Sequence, residues 1–418
     1  MAKLNPAQLR KVDQQKQTRV TVEGASAAAL EEQEKKRQGM IGRRWVAGLA
    51  VFSLAVLCFA FIFPEGLMRE SNTVTDFNAF TERVMANISN VVGAIANTHT
   101  SGNYALIMSR YLAAFVTGAV LGTCGAVYQG AFRNPLASPS TLGVVSGCLL
   151  GSVIFYLFLF EGWIQASLTS VSFITDALED LNFLEYIWVV YGRSICAVLG
   201  GFAVVGTALM VSRALGGGAL GSIVLVVIGQ VFTLVADSVI DTVRYYLEAT
   251  GEITRATLVQ LAEASPFSVI MGFADLFMVC IPLFAGLIVL LALRNRMDVL
   301  SFTDEEARTL GVDVGRFRTV VVLLCTAVTG ITVGFCGPIG FVGFVAPHIA
   351  RRLVGSSFRY LLPASLFTGA IFLVVALCVV NQLDIAGGQG VNLVTTSLGC
   401  VVFLLIAFRN RGGARAWH

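Results

Sequence analysis

Long apolar runs are the feature that most constrains what this chain can fold into. The hydrocarbon core of a bilayer is about 30 Å thick, so a helix of about 20 apolar residues crosses it. Ten stretches of the sequence approach that description. The chain is therefore predicted to be an all-α polytopic membrane protein of about ten transmembrane helices. They are predicted near residues 45–63, 104–130, 141–160, 186–211, 221–241, 276–293, 318–336, 340–353, 361–380 and 391–408.

Charge is scarce and unevenly distributed. Only 13% of the residues are charged, against about 25% in soluble domains. Ten Lys and Arg lie in residues 1–44, whereas the loops expected outside hold only Arg69, Arg83, Arg244 and Arg255. By the positive-inside rule, this predicts an even number of spans with both termini cytoplasmic. The predicted organisation is a cytoplasmic polar segment at 1–44, a transmembrane domain at 45–410 and a cytoplasmic tail at 411–418.

Several kinds of chemistry are missing from the sequence. There is no G-x-x-x-x-G-K-[ST] motif, so any ATP is expected to be hydrolysed by a partner. His99, His348 and His418 have no Cys or carboxylate at ligand spacing, which argues against a metal site. Ion-driven carriers usually keep intramembrane carboxylates or histidines as relays, and Asp237 near a helix end is weak support for one. We therefore expect no enzyme, no cofactor bound by this chain and no nucleic-acid partner.

Glycines recur at helical spacing along several spans. Small residues four apart let helices approach closely in lipid. The spacing predicts such packing faces at Gly118 and Gly122, at Gly143, Gly147 and Gly151, and at Gly330 and Gly334. Spans two to five and seven to ten form two groups on either side of span six. Because span two runs inward and span seven outward, any repeat of these groups is inverted, as in many transporters.

The stretch GPIGFVGFVAPHIARR, residues 337–352, interrupts the apolar pattern. Irregular backbone within a membrane is tolerated only where protein buries it or where it lines a water-filled cavity. Gly337, Pro338, Gly340 and Gly343 are therefore predicted to form an irregular start to a short eighth helix that borders a path or gate. Pro347 is expected to bend or interrupt that helix, and His348 is interpreted as a structural or coupling-side hydrogen-bonding residue rather than a ligand.

The segment 294–318 is the most informative polar interruption inside the predicted transmembrane domain. Thr303 or Asp304 can cap a helix whose first turn is acidic, and Gly311 suits its termination. The sequence predicts a short amphipathic helix on the cytoplasmic face. The alternative reading is an ordinary solvated connector.

Three stretches together resemble one known family. QGAFRNPLASPSTLGVVSG (129–147), EEARTLGVDVGRFR (305–318) and GPIGFVGFVAPHIARRLVGSSFRYLLPAS (337–365) resemble the FecCD-family permease subunits of iron-siderophore, heme and cobalamin importers. The resemblance implies a type II ABC importer permease fold with an inverted repeat, in the bacterial cytoplasmic membrane. It also implies three kinds of partner: a second permease subunit, the same chain or a paralogue; two cytoplasmic ATPase subunits that bind ATP and Mg; and an extracytoplasmic substrate-binding lipoprotein.

The resemblance also assigns residues to roles. One arginine that commonly receives the binding protein is retained as Arg110, but the usual R-L-P-R reads Ile107, Met108, Ser109, Arg110 and a third docking arginine is replaced by Asn381. The assigned residues are Asp304, Glu305, Glu306, Ala307, Arg308, Leu310 and Gly311 for ATPase coupling; Gly143, Gly147, Gly229, Pro338, Gly340 and Gly343 for the translocation path or gate; and Arg110 for docking.

The leading hypothesis is thus a permease subunit of an ATP-driven importer of an iron chelate, heme or cobalamin. Two alternatives stay open at this point. One is an ion-coupled secondary transporter, and the other is a membrane receptor or sensor that shares the fold.

Overall fold

The computed structural model of the chain is a helical bundle. It describes residues 38–61, 102–160, 183–214, 218–252, 273–301, 313–383 and 390–409, with 255–256, 259–260 and 262. Every regular element of at least ten residues in these ranges is an α-helix, and a 3₁₀ turn, Asp298–Ser301, follows the sixth of them. The helices are α1 (Gln38–Phe61), α2 (Gly102–Ala131), α3 (Val144–Ile154, continued by a π-helical turn, Phe155–Phe160), α4 (Phe183–Ala214), α5 (Gly218–Ala249), α6 (Phe273–Met297), α7 (Val314–Cys336), α8 (Val342–Val354), α9 (Phe358–Gln382) and α10 (Gly390–Arg409).

The predicted all-α fold with ten helices is confirmed, but the helices are not equally long. Seven of those in the described ranges are long and apolar enough to cross a membrane. α8 has 13 residues and, at about 1.5 Å per residue, covers only part of the bilayer core. The predicted eighth span is therefore a partial span. At the other end of the chain α1 begins at Gln38, so residues 38–44, predicted as part of the polar leader, are helical.

α2 is the central helix of the bundle. In its most apolar stretch 89% of the residues are buried, against 17% in α1 and in α5. It packs against α6, α7, α8 and α9. α2 therefore meets protein on nearly all sides, while α1 and α5 leave most of their apolar surface to lipid or to other subunits.

The helices meet closely at the predicted glycine faces. A methyl group added at Gly118 or Gly122 of α2 would overlap backbone oxygens of α9, and one added at Gly369 of α9 would overlap the carbonyl oxygen of Gly118. Gly330 and Gly334 of α7 lie in the same way against the backbone of α4. Such close approach maximises van der Waals contact in lipid, where apolar burial alone gives little preference for protein neighbours.

The two groups of four helices repeat one packing scheme. In the first pair of equivalent contacts, α2 packs against α9 and α7 packs against α4. In the second, α3 packs against α4 and α5, and α8 packs against α9 and α10. Exchange of α2–α5 with α7–α10 preserves each of these contacts. Because four helices lie between α2 and α7, successive crossings give the two groups opposite directions, and the predicted inverted repeat is confirmed.

Hydrogen bonds between side chains fix α2 against its neighbours. The Tyr128 hydroxyl lies 2.7 Å from the Thr326 hydroxyl of α7, both fully buried. Near the other end of α2, the Asn381 amide of α9 donates to the Tyr111 hydroxyl at 2.9 Å. A buried polar group without a partner is costly, so these pairs specify which faces of the helices meet.

Gly369→Ala should destabilise the bundle. The added methyl group would collide with the backbone of α2, and overpacking of this kind typically costs about 1–3 kcal/mol. We expect a lower melting temperature of the detergent-solubilised chain in a thermal unfolding experiment. The matched control is Gly206→Ala on α4, where an added methyl group meets nothing within 4 Å. The control should be neutral or slightly stabilising, and equal melting temperatures for the two variants would contradict the packing assignment.

Candidate functional site

The connection between α2 and α3 is a compact turn that presents Gly143. The Thr141 hydroxyl donates to the Leu136 carbonyl oxygen, and the Ser138 N–H donates to the Thr141 hydroxyl oxygen, both at 2.8 Å. The turn ends at Gly143 in the left-handed region, with φ 72°. This conformation is open to glycine at little cost. Gly143 is thus the residue that precedes α3, rather than part of the helix as the sequence suggested.

The three glycines assigned to the path in this half of the chain lie at one junction. An added Cβ at Gly143 would stand 2.6 Å from the carbonyl oxygen of Gly229 on α5. Gly147, one turn further along α3, lies against Gly200 and Val204 of α4. α3 is therefore seated between α4 and α5 by backbone contact, and a path role for Gly143, Gly147 and Gly229 stays a prediction.

The irregular stretch before α8 is the counterpart of that turn. α7 ends at Cys336, its C-cap residue Gly337 has φ 75°, and residues 337–341 are not helical. Within this stretch, which includes Pro338, the backbone N–H of Gly340 donates to Asn392 Oδ1 of α10 at 3.0 Å. α8 then begins at Val342, so Gly343 lies in its first turn and not in the irregular segment as predicted.

The residues that precede α3 and α8 share one geometry. Phe341, before α8, has φ 61°, close to the φ of Gly143 before α3. A methyl group at Gly399 of α10 would overlap the Phe341 side chain, as one at Gly143 would overlap the backbone of Gly229. A positive φ is rare for a bulky residue and persists only where the surroundings enforce it. The inverted repeat thus places a left-handed residue against a glycine at both junctions.

α8 lies against α2 along a glycine contact. Pro347 has no N–H, so it cannot bond the Gly343 carbonyl oxygen in the preceding turn. That carbonyl faces Gly125 of α2 so closely that a Cβ on Gly125 would overlap it. The helix continues through Pro347 to Val354. An interruption at Pro347, one of the two expected effects, is therefore wrong, a bend stays a prediction, and the proline leaves a carbonyl that faces the central helix.

Gln129 of α2 organises the polar end of α8. Its Oε1 accepts a hydrogen bond from Arg351 at 3.2 Å, and its amide nitrogen lies 3.4 Å from the Phe344 carbonyl oxygen. His348 Nδ1 lies 2.9 Å from the same carbonyl oxygen and 3.2 Å from the Gln129 amide nitrogen, so its tautomer decides which of the two it bonds. Gln129 is almost completely buried, at 3% exposure. The HIARR motif is thus held to α2 by polar contacts that converge on Gln129.

The predicted docking residue lies at the beginning of α2. Arg110 is half-buried, and its Nε atom has no hydrogen-bond partner among the described residues. Asn381, which was expected to stand at the position of a further docking arginine, is bonded to Tyr111 of α2. Asn381 therefore serves helix packing, while a docking role for Arg110 stays a prediction.

The predicted coupling residues, 304–308 with 310 and 311, lie outside the described residues. The structure does describe both flanks of that segment. Before it, the 3₁₀ turn Asp298–Ser301 packs against α2, α6 and α7. After it, Asp313 caps α7 by accepting a hydrogen bond from the Arg316 N–H at 3.1 Å.

Sequence reasoning found the irregular segments but missed the residues that connect them to the bundle. Gln129 lay in a quoted motif, and its signal was an amide close to the end of an apolar helix. Gly125 follows Gly122 by three residues, whereas Gly118 and Gly122 are four residues apart, so Gly125 did not fit the predicted glycine face. Gly399 and Phe341 gave no signal, since their contact joins residues that the sequence holds far apart.

Comparisons with known proteins agree on one family. The FecCD transport family matches residues 74–409. The cobalamin import system permease protein BtuC of Halobacterium salinarum is 32% identical over 302 residues, which cover 72% of this chain and 71% of that protein. The Fe(3+)-citrate import system permease protein YfmD of Bacillus subtilis is 29% identical, over 73% of this chain and 81% of that protein. The molybdate import system permease protein MolB of Haemophilus influenzae is 26% identical, over 73% of this chain and 81% of that protein.

A solved structure has a similar fold. It is described as an inward-facing conformation of a metal-chelate type ABC transporter, and it matches with a TM-score of 0.62 at 21% identity. The match covers 88% of this chain and 99% of that chain. The helical arrangement described above is thus the fold of a known ABC transporter permease.

Gln129→Leu should weaken the contact between α2 and α8. The substitution removes both hydrogen-bonding groups from a buried position and leaves Arg351 without that acceptor, at a typical cost of about 1–3 kcal/mol. We expect a lower melting temperature of the purified chain. Thr207→Val on α4 is the control, because the Thr207 hydroxyl bonds only carbonyl oxygens of its own helix. Equal melting temperatures for Gln129→Leu and the native chain would contradict the proposed network.

Proposed function

The chain belongs to the FecCD transport family, and we propose that it is the permease subunit of an ATP-binding-cassette importer that moves an iron chelate into the cytoplasm. The observation that carries the proposal is the family match over residues 74–409, which spans nine of the ten helices completely. A multi-pass membrane protein of this family works in transport by conformational change. We assign it to the bacterial cytoplasmic membrane with both termini cytoplasmic, because the basic segments 1–44 and 294–318 then lie on one side.

The proposed cargo is a bulky metal complex. Relatives are named for cobalamin and for Fe(3+)-citrate, and we favour an iron-siderophore, with heme or cobalamin next. Because one relative is named for molybdate, a test of the cargo should include a metal oxyanion as a competing compound. A wide and weakly binding path suits a bulky complex, and small and apolar side chains can line such a path.

The proposed path runs between this chain and a second permease subunit. α5 supports this placement, since Val227, Val231 and Leu234 are each more than half exposed although they are large and apolar. Large exposed apolar surfaces mark lipid or protein contacts. Two cytoplasmic ATPase subunits would bind ATP and Mg, while this chain binds no cofactor, and an extracytoplasmic lipoprotein would deliver the cargo near Arg110.

Ion-coupled transport is the competing proposal, and the buried arginine of α4 gives it little support. Arg193 is 4% exposed and donates to the Ala262 carbonyl oxygen at 3.0 Å and to the Tyr156 hydroxyl at 3.3 Å. Its guanidinium also lies over the Tyr156 ring, 5.3 Å from the centroid. These neutral contacts hold helices together and do not form the charged relay that ion-driven carriers use. A receptor or sensor with this fold would bind cargo and move none.

Reconstituted vesicles separate these proposals. The complete complex with its ATPases and binding protein should take up a radiolabelled iron-siderophore only with ATP, and excess heme, cobalamin or molybdate should show which cargo competes. Uptake that persists without ATP and follows an ion gradient would contradict the importer and support the secondary transporter. ATP hydrolysis without uptake of any of these compounds would favour a receptor or sensor.

Substitutions in residues 302–312, here called the coupling segment, should separate ATP hydrolysis from uptake. We expect Glu306→Lys and Gly311→Pro to leave membrane insertion and ATP hydrolysis in place and to abolish most uptake, because the acidic helix start and its glycine end would be lost. The measurement is cargo moved per ATP hydrolysed in vesicles. Glu248→Lys, the same charge change at the far end of α5, should leave that ratio unaltered. Unaltered ratios in both coupling variants would remove the assignment.

A further inference from the structure

The 3₁₀ turn Asp298–Ser301 is built into the bundle at the point where the coupling segment begins. Met297 and Leu300, on either side of Asp298, are fully buried. The turn is therefore part of the packed core and not a free connector. Residues 302–312 follow this turn directly in the sequence.

Asp298 caps a helix that is distant in sequence. Its Oδ1 accepts a hydrogen bond from the backbone N–H of Phe358, the first residue of α9, at 2.7 Å. Ser357 holds the N-cap position of α9, yet its own side chain makes no capping hydrogen bond. A carboxylate at a helix N-terminus bonds an unpaired N–H and complements the helix dipole. The cap of α9 is thus supplied from the start of the coupling segment.

Arg133 ties the same turn to the central helix. Its Nε donates to the Leu300 carbonyl oxygen at 3.1 Å, and its backbone has φ 48°, in the left-handed region. The Phe358 ring closes the arrangement, since it lies against Gly130 near the end of α2 so closely that a methyl group there would overlap it. The 3₁₀ turn, the start of α9 and the end of α2 therefore form one three-way contact.

Among the described residues, the aspartate at the other end of the coupling segment makes no hydrogen bond to a second helix. Asp313 also caps a helix, but it accepts from Arg316 of the same helix, and its ion pair with Arg316, at 3.0 Å, is exposed. Both ends thus carry a capping aspartate, and only the one at 298 reaches across to another helix. The two ends of the segment differ in what they can transmit.

We propose that Asp298 and Arg133 are positioning residues that pass the movement of residues 302–312 to α9 and α2. Asp298 acts on α9 through the Phe358 N–H, and Arg133 acts on α2 through the Leu300 carbonyl. α9 and α2 are joined by glycine contact and move as a unit, so a pull at their shared end shifts the centre of the bundle. The inference rests on the proposed function, since it needs an ATPase to move the segment.

The test compares Asp298→Ala, Asp298→Asn and Asp313→Ala in the complete transporter in vesicles. The readout is cargo moved per ATP hydrolysed, with the melting temperature of each variant measured in parallel. Asp298→Ala should lower the ratio about tenfold, the size expected from loss of one charge-assisted hydrogen bond. Asp298→Asn should keep most of the ratio, because its amide oxygen can still accept from Phe358. Asp313→Ala should lower the melting temperature and leave the amount of cargo moved per ATP unchanged.

Arg133 is tested by the same measurement. Arg133→Gln should lower the ratio, whereas Arg133→Lys, which keeps a cationic donor, should restore part of it. Two results would overturn the inference if the native complex shows ATP-driven uptake. One is a native ratio of cargo to ATP in both Asp298→Ala and Arg133→Gln. The other is a fall of this ratio in Asp313→Ala as large as that in Asp298→Ala. If the native complex shows no ATP-driven uptake, the proposed function fails, and the inference fails with it.

Discussion

Backbone contact at glycine is the constraint on which the rest of the bundle depends. In lipid an apolar side chain gains little by exchanging hydrocarbon for protein, so helices associate through close packing and polar contacts. Gly118 and Gly369 bring α2 and α9 together until their backbones touch, and Gly334 does the same for α7 against α4. α8 and α3 are then held in the spaces that these pairs leave. The buried hydrogen bonds have the correct geometry only because the glycines set the spacing.

The sequence predicts the helices well, because hydrophobic runs report directly on the thickness of the membrane. All ten helices occur close to their expected positions, and the glycine spacing identified the faces that meet. The sequence does not tell which face meets which helix. The contacts of Gly125 with Gly343 and of Gly399 with Phe341 depend on the whole fold, and local patterns carry no information about such distant pairs.

The candidate site shows the same division between local and distant information. The irregular backbone before α8 could be foreseen from its glycines and proline, yet its symmetry with the turn before α3 could not. A glycine occupies the left-handed position in one half and a phenylalanine in the other, so residue type hides the shared geometry. An interruption at Pro347 was expected because a proline removes a helix hydrogen bond, but the helix continues, and the neighbouring glycine of α2 leaves room for the carbonyl that the proline cannot bond.

The central position of α2 has a consequence for how the protein is made. Among the seven long spans its mean hydropathy, 1.5, is the lowest, which suits a helix that ends up surrounded by protein. Its partners come late in synthesis, since Tyr111 and the Asn381 that bonds it are 270 residues apart. The nascent α2 must therefore stay in the membrane, with its glycine face unpaired, while most of the chain is translated. Assembly of the core thus waits for the C-terminal helices, and a chain truncated before α9 lacks the partner that its second helix was shaped to meet.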